Sequence, residues 1–236
     1  KELEAPRPDI LSACKAAIAD ASEDLHFTRV NPDLFAQCPA ESVDYAVMEK
    51  TDKAAVVALD AATGDIAWTF FVVPRPGEFG HDTWPQDSDV WQVGGGGVWL
   101  VGTVDPDLGM VYFATGNPVP MFGGEVREGD NLFTAAVLAL DMETGERRWH
   151  YQVVRHDIWD ADIATPMLLY EVEVDGRPRK ALAAMRADGI LFLFDRETGE
   201  PLIPIEERPV PQSKVPGEVL SSTQPFPTKP APYDLH

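Results

Sequence analysis

Three stretches of the chain repeat one another: AAVVALDAATGDIAWTF at 54–70, AAVLALDMETGERRWHY at 135–151 and, more loosely, GILFLFDRETGEPLIPI at 189–205. In each, an apolar run ends on an aspartate (Asp60, Asp141, Asp195) and a tight turn closes on Thr-Gly. A second run then departs, carrying Trp68 or Trp149 in the first two copies. Aspartate bonds to backbone a few residues on and glycine accepts left-handed backbone, so each copy reads as a β-hairpin. A unit of this size cannot bury its apolar face alone and must stack on its neighbours. The aspartates stand 81 and 54 residues apart, whereas a blade of four strands takes about 40 to 50. The first interval therefore has room for more than one blade or for a long insertion, and the second for one. The fold class expected is mainly β, a partial β-propeller over 54–236; a β-sandwich reusing one hairpin is the alternative.

Residues 1–53 have a different texture and read as an α-rich leader. Asp9 is placed to cap a helix in which Ile10, Leu11, Cys14, Ala17, Ile18 and Ala21 form an apolar stripe. Asn31 followed by Pro32 signals a second, shorter helical turn. The two cysteines, Cys14 and Cys38, are too few for a zinc cluster or a disulfide framework and read as unpaired thiols. At the other end, PLIPIEERPVPQSKVPGEVLSSTQPFPTKPAPYDLH is rich in proline yet too apolar for a solvated linker, so it is expected to lie against another surface.

With 39 acidic and 19 basic residues the formal charge is -20, which repels phosphate backbones and argues against nucleic-acid binding. No apolar run has the roughly 20 residues of a membrane helix, and KELEAPRPD lacks the pattern of a secretory signal.

Two stretches carry candidate chemistry. In GGGGVWLVGTVDPDLGMVYFATGN, four glycines lead into Trp99 and, eighteen residues later, into Asn117. A glycine run allows close backbone approach, here by Gly95, Gly96 and Gly97 to a flat ligand, and the indole of Trp99 offers a stacking face. In HDIWDADIA, Asp157 and Asp160 flank Trp159 and Asp162 follows. In extended backbone Asp160 and Asp162 share one face while Trp159 points to the other. An ionised carboxylate there suits a proton acceptor or a hard cation.

These motifs, in order with PRPGEFGHDTWP, REGDNLFTAAVLALDMETGERRWHYQ and GILFLFDRETGEPLIPIEERPVPQ, resemble the pyrroloquinoline quinone (PQQ)-dependent dehydrogenases of the membrane-type glucose and alcohol group. The resemblance implies a quinoprotein propeller that oxidises an alcohol or sugar hydroxyl. It implies PQQ stacked on Trp99 beside Gly95, Gly96 and Gly97, and a catalytic Ca²⁺ held by Asn117 and Asp160. Asp160 would be the general base, with hydride passing to PQQ. It also implies a quinone or cytochrome electron acceptor and a periplasmic or membrane-associated setting. One departure stands out: where the family places a Lys or Arg near the third hairpin, this chain has Ala187, and Arg186 beside it would point to the opposite face of a strand.

Residues 1–57, with SVDYAVMEKT the most specific piece, resemble a fragment of mannose-1-phosphate guanylyltransferase. Asp44, Glu49 and Lys50 within it read as solvated or capping residues. An isolated chain with open propeller edges is expected to self-associate and to show no turnover. A non-catalytic propeller scaffold and a guanylyltransferase remnant are the other two readings.

Overall fold

The computed structural model describes residues 7–24, 27–40 and 55–230. The chain divides into two compact units, Lys1–Asp52 and Lys53–His236.

In the first unit, helix α1 spans Pro8–Ala19 and a short turn α2 spans Pro32–Phe35, with a strand pair β1 (Ser22–Asp24) and β2 (Phe27–Arg29) between them. Helix dominates the described part of the leader, and the one short strand pair falls where the polar stretch after α1 has no apolar stripe to sustain a helix. Arg7, not Asp9, occupies the N-cap; Asp9 lies in the first turn and accepts two bonds from the Arg7 guanidinium, at 2.7 and 2.9 Å. Asn31 caps α2 as its position suggested, its Oδ1 accepting from Asp33 and Leu34 N–H. Only Ile10 and Ala17 of the expected stripe are buried, and Ile18 is exposed. Cys14 and Cys38 are free thiols with their Sγ atoms 4.0 Å apart. Asp44, Glu49 and Lys50 lie outside the described residues.

The second unit is built from antiparallel sheets. Strands β3 (Ala55–Leu59) and β4 (Ile66–Phe71) form a two-stranded hairpin. Strands β5 (Thr103–Asp105), β6 (Met110–Ala114), β7 (Ala136–Asp141) and β8 (Arg147–Gln152) make a four-stranded blade in sequential order. Strands β9 (Leu168–Val174), β10 (Arg177–Met185) and β11 (Leu191–Asp195) make a three-stranded one, extended by a bridge from Phe194 to Pro201. The repeated hairpins are β3–β4, β7–β8 and the end of this third sheet. The long first interval holds one blade plus the irregular stretch between β4 and β5, not a second blade.

The turns repeat to the atom. In each, the aspartate Oδ1 accepts from the N–H groups two and three residues on: Ala62 and Thr63 for Asp60, Glu143 and Thr144 for Asp141, Glu197 and Thr198 for Asp195. A fourth copy, less visible in sequence, joins β5 to β6 at Asp105, whose Oδ1 accepts from Asp107 and Leu108. The bonds to backbone N–H, with Arg148 beside it, hold the Asp141 carboxyl down at about 2.

Neighbouring repeats are joined by one device. Trp68 Nε1 donates to the Met142 carbonyl at 2.9 Å and Trp149 Nε1 to the Arg196 carbonyl at 3.0 Å. Each acceptor is the residue after the turn aspartate of the next repeat. The indole also lies flush on that turn's glycine: a Cβ on Gly145 would come within 2.5 Å of the Trp68 ring, and one on Gly199 within 2.7 Å of the Trp149 ring. Only glycine leaves room for this contact.

Strand β7 is buried on both faces, which explains its unbroken apolar run. Val137 and Ala139 belong to a cluster with Trp149, Leu182, Phe192 and Phe194 toward the third sheet. Leu138 and Leu140 pack with Val72 and Phe133 toward the β3–β4 hairpin. The proline-rich tail folds back as expected: β12 (Ile205–Pro209) pairs with β13 (Thr223–Pro227), and Gln224 exchanges two backbone bonds with Arg155 at 2.9 and 2.6 Å.

Candidate active site

The glycine run is shaped by the chain's own atoms. Residues 94–97 lie antiparallel to 116–119: Gly96 N–H donates to the Asn117 carbonyl (2.9 Å), Gly116 N–H to the Gly97 carbonyl (2.8 Å) and Val119 N–H to the Gly94 carbonyl (2.9 Å). Gly94 packs under the Trp84 ring, which a Cβ would meet at 2.5 Å. Gly95 has φ of 82° and faces the Asn117 carbonyl and Val119, both 2.8 Å from a hypothetical Cβ, so any side chain is excluded twice over. A Cβ on Gly96 would meet Val72 at 2.6 Å. Trp99, 51% exposed, sets its indole edge on Gly116, whose Cβ would lie 2.2 Å from the indole nitrogen. The glycines therefore seat Trp99 beside the Gly-Asn-Pro segment and leave much of the indole open.

The Asp loop is not extended. Asp157 is fully buried, and its carboxylate accepts from the N–H groups of Trp159 (2.9 Å) and Ala161 (3.0 Å), which curls the chain between them. Asp160 takes a left-handed φ of 59°, a conformation that costs on the order of 1–3 kcal/mol and concentrates at functional sites. The curl overturns the expected alternation: Trp159 and Asp160 line the same cavity. His156, also left-handed at φ 49°, anchors the loop by its Nδ1 contact to the Gly129 carbonyl at 2.7 Å.

Asp162 connects the two stretches. The Asn117 backbone N–H lies close enough to its carboxylate to favour the ionised form, and its carbonyl accepts from Ala187 N–H at 2.7 Å. Burial, with Asp160 and Asp157 nearby, pushes the Asp162 carboxyl up to about 6. Burial likewise raises Asp157. The sequence had marked Asp162 only as a neighbour of Asp160; nothing in the spacing signalled its approach to Asn117, 45 residues away.

The cavity beside Asp160 measures about 420 Å³ and is lined by Trp159, Arg186, Ala187 and, from the returning tail, Gln224 and Phe226. Strand β10 ends at Met185, and beyond it the chain turns, with Gly189 N–H bonding the Arg186 carbonyl at 2.9 Å. Strand alternation therefore does not govern this stretch, and Arg186 and Ala187 both face the cavity. The Arg186 guanidinium is held by Asp188 (2.6 and 2.9 Å) and the Val153 carbonyl (3.0 Å).

Comparison with known proteins decides the family. The family model described as glucose/ethanol/alcohol dehydrogenase, beta-propeller domain (PQQ), matches residues 39–236. The chain belongs to this family. It is 36% identical over 183 residues to the quinohemoprotein alcohol dehydrogenase ADH-IIG of Pseudomonas putida, covering 72% of this chain and 25% of that protein. To the quinoprotein glucose dehydrogenase of Gluconobacter oxydans it is 34% identical over 180 residues, covering 75% of this chain and 22% of that one. Among solved structures, ADHIIG from Pseudomonas putida HK5 superposes with a TM-score of 0.62 at 32% identity over 74% of this chain and 28% of its own. A europium-containing methanol dehydrogenase superposes at 0.58, with 27% identity over 73% of this chain and 32% of its own. This PQQ dehydrogenase propeller segment thus spans about a quarter of the curated relatives it matches. The match runs through SVDYAVMEKT, so the guanylyltransferase resemblance of the leader gains no support.

The residues fit the group the family implies. Asn117 and Asp160 carry oxygen donors of the kind a hard cation takes, near two further buried carboxylates, Asp157 and Asp162, whose pKa values burial raises first and neighbouring carboxylates second. Among the described residues no group of three or more His, Cys, Asp and Glu side chains forms a metal cluster by itself.

Proposed function

We propose that this chain supplies one wall of the active site of a PQQ- and Ca²⁺-dependent dehydrogenase that oxidises an alcohol or sugar hydroxyl. The observation that carries the reading is the left-handed loop that sets Asp160 on the lining of a cavity, with the Asn117 backbone N–H of the Gly-Asn-Pro segment close to the Asp162 carboxylate of that loop. In that role Trp99 is the stacking floor, Asn117 and Asp160 hold the cation, and Asp160 receives the substrate hydroxyl proton. Gly95, Gly96 and Gly97 act through the backbone, seating Trp99 against Gly116. PQQ, when bound, supplies the two-electron acceptor. Arg186 stands where its positive charge reaches the cavity, and takes the part expected of a cation at the Ala187 position. The whole protein would pass electrons to a quinone or a cytochrome and work in the periplasm or at a membrane.

A titration of the chain with PQQ and Ca²⁺, read by tryptophan fluorescence, tests the reading. Saturable quenching that needs Ca²⁺, and that Trp99→Ala removes, is expected. Absence of quenching would sink the cofactor assignment and favour a scaffold without cofactor.

A further inference from the structure

Arg127 is fully buried, yet among the described residues its guanidinium pairs with no carboxylate. It makes four bonds to neutral oxygens instead. Nε donates to the Pro120 carbonyl (2.8 Å), Nη2 to the Met121 carbonyl (2.9 Å) and to the Asp157 carbonyl (2.6 Å), and Nη1 to Asn131 Oδ1 (2.7 Å). Asn131, itself left-handed at φ 59°, returns a bond from Nδ2 to the Arg127 carbonyl at 2.8 Å. Pro120 and Met121 follow closely on Asn117, and Asp157 opens the loop that carries Asp160. One planar fork thus spans the two segments whose side chains are assigned to the cation.

The energetics make a merely cohesive role uneconomical. Burying a guanidinium without an ionic partner is expensive, and burial pulls its pKa down to about 10. Neutral amides would join two loops at lower cost. What a neutral group does not offer is a rigid, five-donor plane that sets distance and angle at once, together with positive charge near the buried Asp157 carboxylate.

We infer that Arg127 is a positioning residue: its fork fixes the Asn117 segment against the Asp157–Asp160 loop and so sets the affinity of that pair for a hard cation. The inference rests on the reading of Asn117 and Asp160 as cation ligands. Residues that orient ligands from behind cost about 10- to 100-fold in metal affinity when lost.

The probe is Tb³⁺, a hard cation whose emission is sensitised by a nearby indole, titrated into the chain. Arg127→Lys keeps the charge but not the fork, and is expected to bind Tb³⁺ at least about 10-fold more weakly with an unchanged far-UV spectrum. Arg196→Lys, at a different buried site, is the control: it should lower the melting midpoint and leave the Tb³⁺ affinity alone. Equal affinity of Arg127→Lys and the parent chain overturns the inference. Loss of affinity in Arg196→Lys as large as that in Arg127→Lys also overturns it, because general loosening would then explain both. If Arg127→Lys does not fold, Asn131→Ala, which frees one arm of the same fork, is judged by the same criteria. A parent chain that gives no saturable emission overturns the cation reading itself, and the inference with it.

Discussion

The two junctions between repeats use the same parts and reach different burial. At one, Trp68 of the β3–β4 hairpin docks on Gly145 and the Met142 carbonyl; at the other, Trp149 of the four-stranded blade docks on Gly199 and the Arg196 carbonyl. Trp68 remains partly exposed, and Val57, Leu59 and Ile66 of its hairpin face outward. Trp149 is 6% exposed, with Tyr112 5.8 Å away, ring centroid to ring centroid. The Tyr112 hydroxyl shares the Arg196 carbonyl at 2.8 Å, and Arg196 reaches across to Asp105 at 2.7 Å. The difference teaches that the tryptophan device specifies where two repeats meet, whereas the number of strands behind it decides how much apolar area the meeting buries.

The largest effect expected is from Trp149→Ala. Removing a buried indole from the main cluster should cost about 3–5 kcal/mol, read as a lower urea midpoint, and an effect no larger than that of Trp68→Ala would break the contrast. Next comes Asp105→Asn, which strands the buried Arg196 guanidinium; about 3 kcal/mol is expected, with no counterpart at the Trp68 junction.

Glycine substitutions sharpen the comparison further. Gly64 and Gly199 have nearly the same backbone, φ 76° and 77°, but a Cβ on Gly64 meets nothing within 4 Å while one on Gly199 strikes the Trp149 ring. Backbone strain therefore cancels between Gly64→Ala and Gly199→Ala, and the excess loss in the second, about 1–3 kcal/mol, measures the docking contact alone. Equal losses in thermal melts would show that the glycines serve only the turns. Trp68→Ala should cost less, about 1–2 kcal/mol, since its ring is only partly removed from water.

A pH dependence is also expected at the first junction. His150 lies edge-on to Phe133 at 4.8 Å and beside Arg147, and burial with that charge pulls it down to about 4. Its ordinary value is 6.5. Between the two the unfolded chain binds more protons, so stability is full above about 6.5 and falls as pH drops toward 4. His150→Phe should flatten that part of a stability-against-pH curve; an unchanged curve would place the titration elsewhere.

Much of the fold was legible because its determinants are local. An aspartate that bonds the next N–H groups, a glycine in left-handed backbone and alternating apolar residues act within a few positions, and all three hairpins were readable from them. The fourth turn, Asp105 to Gly109, was missed because Asp-Pro-Asp-Leu-Gly shares the aspartate and glycine but not the Thr-Gly signature. Of the proposed site residues, Trp99, Asp160 and the glycines were picked out by type, and Asn117 was assigned through the family resemblance. Arg127 and Asp162 did not stand out, since an arginine among acidic residues and one more aspartate in a charged loop look like solvated surface.

What the sequence alone determined is the hairpin unit and its repetition, because each depends on chemistry carried within a short span. Tertiary structure alone decided which groups meet. It buried Arg127 between two loops, brought Asp162 near Asn117, and turned Trp159, Asp160 and Arg186 toward one cavity. The physical reason is the same in each case: a buried polar group must find partners, and those partners lie tens of residues away, where only the packed blades bring them within hydrogen-bond reach.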